Sequence, residues 1–190
     1  MQVTNMILDT FVDFKGEHSL MLFSKGCNLN CPVCHNRRIP YQFDRDLLDV
    51  VEENLSPLHT AIVISGGEPT IQDLHKVCVE LKRRYPKIKI KVFTNGQNPD
   101  EVISCTGFVD MWSVDFKTLN NEEILGVKCP CYQDNVVRTL QILTATKSNF
   151  IVRIWKHPKN SIEEQNQMIQ TIQQINPEAP YELVTLMFPS

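Results

Sequence analysis

Apolar positions along the chain gather into short runs separated by longer amphipathic stretches. The runs fall at Ser19–Phe23, Ala61–Ser65, Ile88–Phe93, Phe108–Val114, Phe150–Ile154 and Tyr181–Leu186, each the length of a buried strand. Between most of them, apolar residues recur at helical spacing. Leu47, Leu48, Val51 and Leu55 make one such face with Asp44 as its expected cap, and Leu74, Val77 and Leu81 make another with Thr70 as cap. Ser161 and Glu164 form a capping-box pattern ahead of Met168, Ile169, Ile172 and Ile175. Short strands alternating with longer helices predict an α/β fold built on a parallel sheet. The stretch from Asn120 to Asp134 is the least regular, and Pro69 and Pro130 read as local turns.

No sequence repeat, low-complexity tract or Gly/Ser linker interrupts this pattern, so residues 1–190 are expected to form one domain. The hydrophobic content of 42% is ordinary for a globular protein with a substantial core. A net charge of -3 gives no reason to expect a nucleic-acid or membrane partner. Lys82, Arg83, Arg84, Lys87, Lys89 and Lys91 are close in sequence but spread over a helix end, a turn and a strand, as a solvated face would be. No stretch approaches the roughly 18 apolar residues of a membrane span, and Asp9 and Asp13 stand where a signal peptide would be basic, then apolar. A cytoplasmic location is expected.

Seven cysteines is an odd number, and three of them fall within eight residues. In a reducing compartment such grouping reads as metal ligation. The three form Cys27-Asn-Leu-Asn-Cys31-Pro-Val-Cys34, directly after the first apolar run and Gly26. A loop can fold them around one corner of a 4Fe-4S cluster, which ordinarily takes four thiolates and here would keep one iron open. An open iron suits a chelating substrate, such as the amino and carboxylate groups of a methionine moiety. The alternative is a structural zinc site completed by His35 or by Cys129 and Cys131.

Three further strand ends carry ligand-type residues: Ser65-Gly66-Gly67-Glu68-Pro69, Thr94-Asn95-Gly96 and Asp115-Phe116-Lys117. Each alone is compatible with a plain turn or a solvated ion pair; the two glycines would let backbone approach a ligand closely. Their succession at strand ends, where α/β proteins bind ligands, is the stronger signal.

On these residues the sequence resembles the radical S-adenosylmethionine (SAM) superfamily, whose signature is a Cys-x3-Cys-x2-Cys loop after the first barrel strand. Phe23 to Asn36, Ser65 to Thr70, Thr94 to Gly96, Asp115 to Lys117 and the leading Val12-Asp13-Phe14-Lys15-Gly16 resemble the glycyl-radical-enzyme activases, above all anaerobic ribonucleotide reductase activating proteins. The resemblance implies a partial, open (β/α)6 barrel with mostly parallel strands. It implies that Cys27, Cys31 and Cys34 ligate a 4Fe-4S cluster and that Gly66, Gly67 and Glu68 meet the amino group of SAM. Asp115 and Lys117 would lie near its carboxylate, Ser65, Thr94 and Asn95 would line the pocket, and His35 would frame the adenine. Arg153, at the fifth strand end, is a further expected contact.

Val33 stands where those activases usually have an aromatic residue, Phe93 where they often have Asp, and Lys15 where Pro is common. The sequence ends at Ser190, short of the His-bearing segment of longer activases. The expected activity is cleavage of SAM to a 5′-deoxyadenosyl radical that installs a glycyl radical on a partner such as anaerobic ribonucleotide reductase. A flavodoxin or ferredoxin would supply the electron. Other readings are radical chemistry on a peptide, nucleotide or other small molecule, and a non-enzymatic metal module. Cys78, Cys105, Cys129 and Cys131 match no cluster spacing and are expected to be free thiols; His75 and His157 read as solvated or core residues. Met6, Met21, Met111, Met168 and Met187 read as packing residues, and Trp112 and Trp155 as core or rim.

Overall fold

The computed structural model describes residues 1–185, and the sequence readings at Leu186 and Met187 lie outside them. The first half of the chain forms β1 (Gln2–Thr10), β2 (Ser19–Ser24), β3 (Arg45–Asp46), α1 (Leu47–Asn54), β4 (Ala61–Gly66), α2 (Leu74–Arg84) and β5 (Lys89–Thr94). The second half forms α3 (Pro99–Cys105), β6 (Met111–Phe116), α4 (Glu122–Leu125), α5 (Tyr132–Ala145), β7 (Phe150–Lys156), α6 (Ile162–Ile175) and β8 (Tyr181–Thr185). All eight strands share one sheet in the order β3-β1-β2-β4-β5-β6-β7-β8. From β2 through β8 the neighbours are parallel, whereas β1 runs antiparallel to both β2 and β3. Six parallel strands joined through helices make the expected partial, open barrel.

Strands β2 and β4 read as nearly continuous apolar runs because both of their faces are covered. Leu20, Leu22, Ile62 and Ile64 are fully buried. One connected core joins them to Leu74, Leu81, Ile90, Trp112, Leu140 and Ile172, which come from both the strands and the surrounding helices. Met168, Trp112 and Trp155 pack in it, and Met21 is buried as well.

Several boundaries differ from the sequence reading. Asp46, not Asp44, caps α1 by accepting from the Leu48 amide at 2.9 Å, because Asp44 is drawn into an ion pair with Lys25. Thr70 is buried in a short 3-10 turn that Pro69 opens, so α2 starts only after Asp73. The run beginning at Phe108 is still a turn there, and its strand covers Met111–Phe116. Within Asn120–Asp134 lie α4 and the start of α5. Strand β1 was missed because its buried positions include Thr4, Asn5 and Thr10. The capping box of Ser161 and Glu164 is present at α6. Most of the basic stretch is paired on the surface, Lys82 with Asp110, Arg83 and Arg84 with Glu80, and Lys89 with Glu17. Among the described residues no helix is long and apolar enough to cross a membrane.

A candidate active site at the strand ends

A cavity of about 710 Å³ opens at the C-terminal ends of β2, β4, β5, β6 and β7. Cys27, Cys31, Cys34, His35, Ser65, Gly66, Gly67, Glu68, Thr94, Asn95, Asp115, Lys117 and Arg153 all line it. Parallel strands deliver their carboxyl ends to the same side, so residues far apart in sequence meet there.

The cysteine loop is held from three directions. The Asn30 amide donates to the Leu125 carbonyl at 2.9 Å, Arg37 Nη1 donates to the Asn30 carbonyl at 3.3 Å, and the Glu68 amide donates to the Gly26 carbonyl at 2.8 Å. Cys27 Sγ receives the Leu29 amide at 3.4 Å and Asn95 Nδ2 at 3.8 Å, which places donors toward any negative charge on that sulfur. Burial pushes the Cys27 thiol up to about 11, and it raises the Cys31 thiol as well. Unligated, these sulfurs keep their protons at neutral pH. Among the described residues, three metal-type ligand atoms lie within 4.8 Å of one another only at Asp9, His18 and His59, so the three thiol sulfurs are spread wider. A single tetrahedral zinc, with Zn–S of about 2.3 Å, would draw its sulfurs to roughly 3.8 Å. A cubane places its irons at separate corners and accepts the wider spread.

Gly66 and Gly67 have a different reason from the one their sequence suggested. A Cβ on Gly67 would stand 1.7 Å from the Gly26 carbonyl oxygen, and one on Gly66, at φ +100°, 2.5 Å from the Ser24 amide nitrogen. The glycines let the end of β4 pack against the start of the cysteine loop; their close approach is to protein backbone. Glu68 is 1% exposed, and its carboxylate accepts from Thr70 Oγ1 (2.7 Å), the Thr70 amide (3.2 Å), Thr94 Oγ1 (2.7 Å) and the Asn95 amide (2.6 Å). Burial raises its pKa and these four donors oppose the rise. Glu68 thus ties the ends of β4 and β5 together.

On the opposite wall, Lys117 Nζ lies 2.6 Å from Asp115 Oδ2 and 3.5 Å above the Trp155 ring. Arg153 Nη1 stands 3.4 Å from Asp115 Oδ1, with its Nε 3.3 Å from Glu182. Two cations therefore flank one carboxylate inside the cavity, an arrangement suited to an anionic ligand group. Ser24 Oγ and Trp155 Nε1 are buried without a hydrogen-bond partner. Thr4, Asn5, Ser24 and Trp155 also line the cavity; nothing in their sequence surroundings marks them. Cys78 and Cys105 are buried in α2 and α3, and neither they nor Cys129 and Cys131 line the cavity.

The model of the radical SAM superfamily matches residues 21–172. The chain belongs to that superfamily. Its members use a 4Fe-4S cluster together with SAM, and the donor set of this cavity fits both. A Methanocaldococcus jannaschii protein provisionally named a glycyl-radical enzyme activating enzyme is 35% identical over 127 residues, 62% of this chain and 51% of that protein. A 7-carboxy-7-deazaguanine synthase from Synechocystis sp. is 26% identical over 106 residues, 51% of this chain and 50% of that protein. The chain thus matches about half the length of each of these relatives. Among solved structures, TYW1 with a lysine-pyruvate adduct aligns over 93% of this chain and 68% of its own, with a TM-score of 0.61 and 15% identity. The SAM methyltransferase TsrM from Kitasatospora setae, with cobalamin and a 4Fe-4S cluster bound, aligns over 87% and 34% at a TM-score of 0.61 and 11% identity. These two likenesses support the radical SAM fold.

Proposed function

We propose that this radical SAM protein, one domain over residues 1–190, is an activase that installs a glycyl radical on a partner enzyme. The observation that carries the radical chemistry is the single cavity in which three thiols face the ends of β4, β5 and β6. The 35% identical relative supports the activase role. Exposed Ile39 and Tyr41 on the cavity rim would receive a protein loop carrying the target glycine.

Cys27, Cys31 and Cys34 would hold the cluster, which when bound supplies the electron that cleaves SAM to a 5′-deoxyadenosyl radical. Asn95 and the Leu29 amide donate toward Cys27 and moderate its charge. Lys117 and Arg153, positioned by Asp115, attract the carboxylate of the methionine moiety. Its amino group meets the backbone at Ser65, Gly66 and Gly67, where Glu68, Thr94 and Asn95 keep the strand ends in register. His35 borders the adenine. A flavodoxin or ferredoxin serves as reductant, and the reaction runs without oxygen in the cytoplasm.

The reduced protein with SAM is incubated with a purified glycyl-radical enzyme, anaerobic ribonucleotide reductase first, and followed by electron paramagnetic resonance. A glycyl doublet on the partner is expected. Accumulation of 5′-deoxyadenosine with no doublet on any glycyl-radical enzyme would reject the activase role and point to a small-molecule substrate.

A further inference from the structure

We propose that Asp9, His18 and His59 bind a divalent transition-metal ion, with zinc as the type, at the end of the sheet opposite the cysteine cavity. His18 directly precedes β2 and His59 lies just before β4, so both mark the N-terminal ends of parallel strands. At about 3.3 Å per residue, six-residue strands put this cluster about 20 Å from the cavity. It is the one place among the described residues where three metal-type ligand atoms lie within 4.8 Å of one another.

Three separate segments build the cluster. The pairing of β1 with β2 advances three residues from Ile7 to Thr10 against two from Met21 to Ser19, so β1 carries a bulge at Leu8 and Asp9. Bulges redirect side chains, and this one sets both the Leu8 carbonyl and the Asp9 carboxylate beside the imidazoles. Asp9 Oδ1 is 2.6 Å from His18 Nε2 and 3.3 Å from His59 Nε2, and the Leu8 carbonyl oxygen is 2.8 Å from His59 Nε2.

The far side of the His18 ring is already oriented for ligation. His18 Nδ1 lies 3.2 Å from the Leu58 carbonyl, so it carries a proton and donates it, which directs Nε2 toward Asp9. A metal ion there would replace the proton shared between His18 and Asp9. His59 Nδ1 is 2.9 Å from the Ser56 amide and 3.2 Å from Ser56 Oγ. In one tautomer the ring accepts from the amide and donates from Nε2 to Leu8. For Nε2 to bind a metal, the proton must move to Nδ1, which gives up the Ser56 amide bond and donates to Ser56 Oγ instead. A protein oxygen opposite the ligating nitrogen is the usual support of a metal-bound histidine.

Two imidazoles, a carboxylate and a carbonyl suit zinc, cobalt, nickel or copper, whereas calcium and magnesium prefer oxygen alone. His59 is 3% exposed, His18 19% and Asp9 61%, so the site is walled by the histidines and open at the carboxylate. The Phe11 ring stacks on His18 with centroids 4.5 Å apart and holds that ring in place. An ion bound here would staple the end of β1 to the starts of β2 and β4, fixing the strand whose Thr4 and Asn5 line the cavity.

The test uses the protein with its cluster in place, incubated with zinc, desalted, analysed for zinc and iron, and examined at the zinc X-ray absorption edge. Expected is one retained zinc per chain beyond the cluster iron, in a nitrogen and oxygen shell at about 2.0–2.1 Å. His18→Gln and Asp9→Asn, neither of them in the core, should each lower zinc affinity at least about tenfold while iron content stays unchanged. Absence of retained zinc, equal retention by both variants, or sulfur scattering at about 2.3 Å would overturn the assignment. The absorption shell is read on the unsubstituted protein, so the test survives a variant that fails to fold.

Discussion

Glu68 shows how much of this site is structural before it is chemical. Its four donors come from Thr70, Thr94 and Asn95, and two of them are backbone amides. Glu68→Gln would turn an amide NH2 toward those donors. At about 1–3 kcal/mol for each unsatisfied buried group, it should destabilise the cluster-free protein by about 2–4 kcal/mol in denaturant unfolding. The cysteines predict a pH effect whose sign is fixed by their burial. Because the folded Cys27 thiol titrates near 11 and Cys31 is raised, both are protonated at neutral pH, yet ligation needs thiolates. Cluster assembly should therefore release protons and become more favourable as pH rises from 7 toward 9, measurable by proton release or by iron retention against a chelator.

At the scale of elements, the glycines and caps separate packing from chemistry. Gly67→Ala places a Cβ against the Gly26 carbonyl, and Gly126→Ala, at φ +67°, places one 1.9 Å from the Asn30 carbonyl. Both contacts are with backbone, so the cysteine loop itself must shift. Each substitution should cost about 1–3 kcal/mol and lower iron retention, read by unfolding and iron analysis on the same samples. Ser161→Ala, at the capping box of α6, should cost about 1 kcal/mol with iron content and SAM cleavage unchanged. Strands β2 and β4 were legible because Leu20, Leu22, Ile62 and Ile64 lie in nearly unbroken apolar runs, and β5 because its buried Ile90 and Val92 alternate with Lys89 and Lys91. Strand β1 was not, since its buried Thr4, Asn5 and Thr10 mimic a loop and find partners only once the fold is formed. The caps at Asp44 and Thr70 misled because other partners claim both side chains: Asp44 pairs with Lys25, and Thr70 Oγ1 donates to Glu68 two residues earlier. The cavity residues at Cys27–Cys34, Gly66–Glu68, Thr94 and Asp115 were readable from motifs, whereas Trp155 and Ser24 came to light only through their burial beside the cavity.

For the molecule as a whole, the sheet does two things at its two ends. The carboxyl ends of β2, β4, β5, β6 and β7 gather thiols, a buried glutamate and a carboxylate flanked by cations into one cavity. The amino ends carry the Asp9, His18 and His59 cluster. The central claim concerns the first of these: that Cys27, Cys31 and Cys34 hold a cluster able to cleave SAM. Its most direct test is the release of 5′-deoxyadenosine by the anaerobically reconstituted and reduced protein, compared with Cys27→Ala, Cys31→Ala and Cys34→Ala. The account predicts 5′-deoxyadenosine and methionine in equal amounts from the parent, and none from the three variants. Release by any of those variants, or a parent protein that retains its iron, is reduced and releases none, would contradict it.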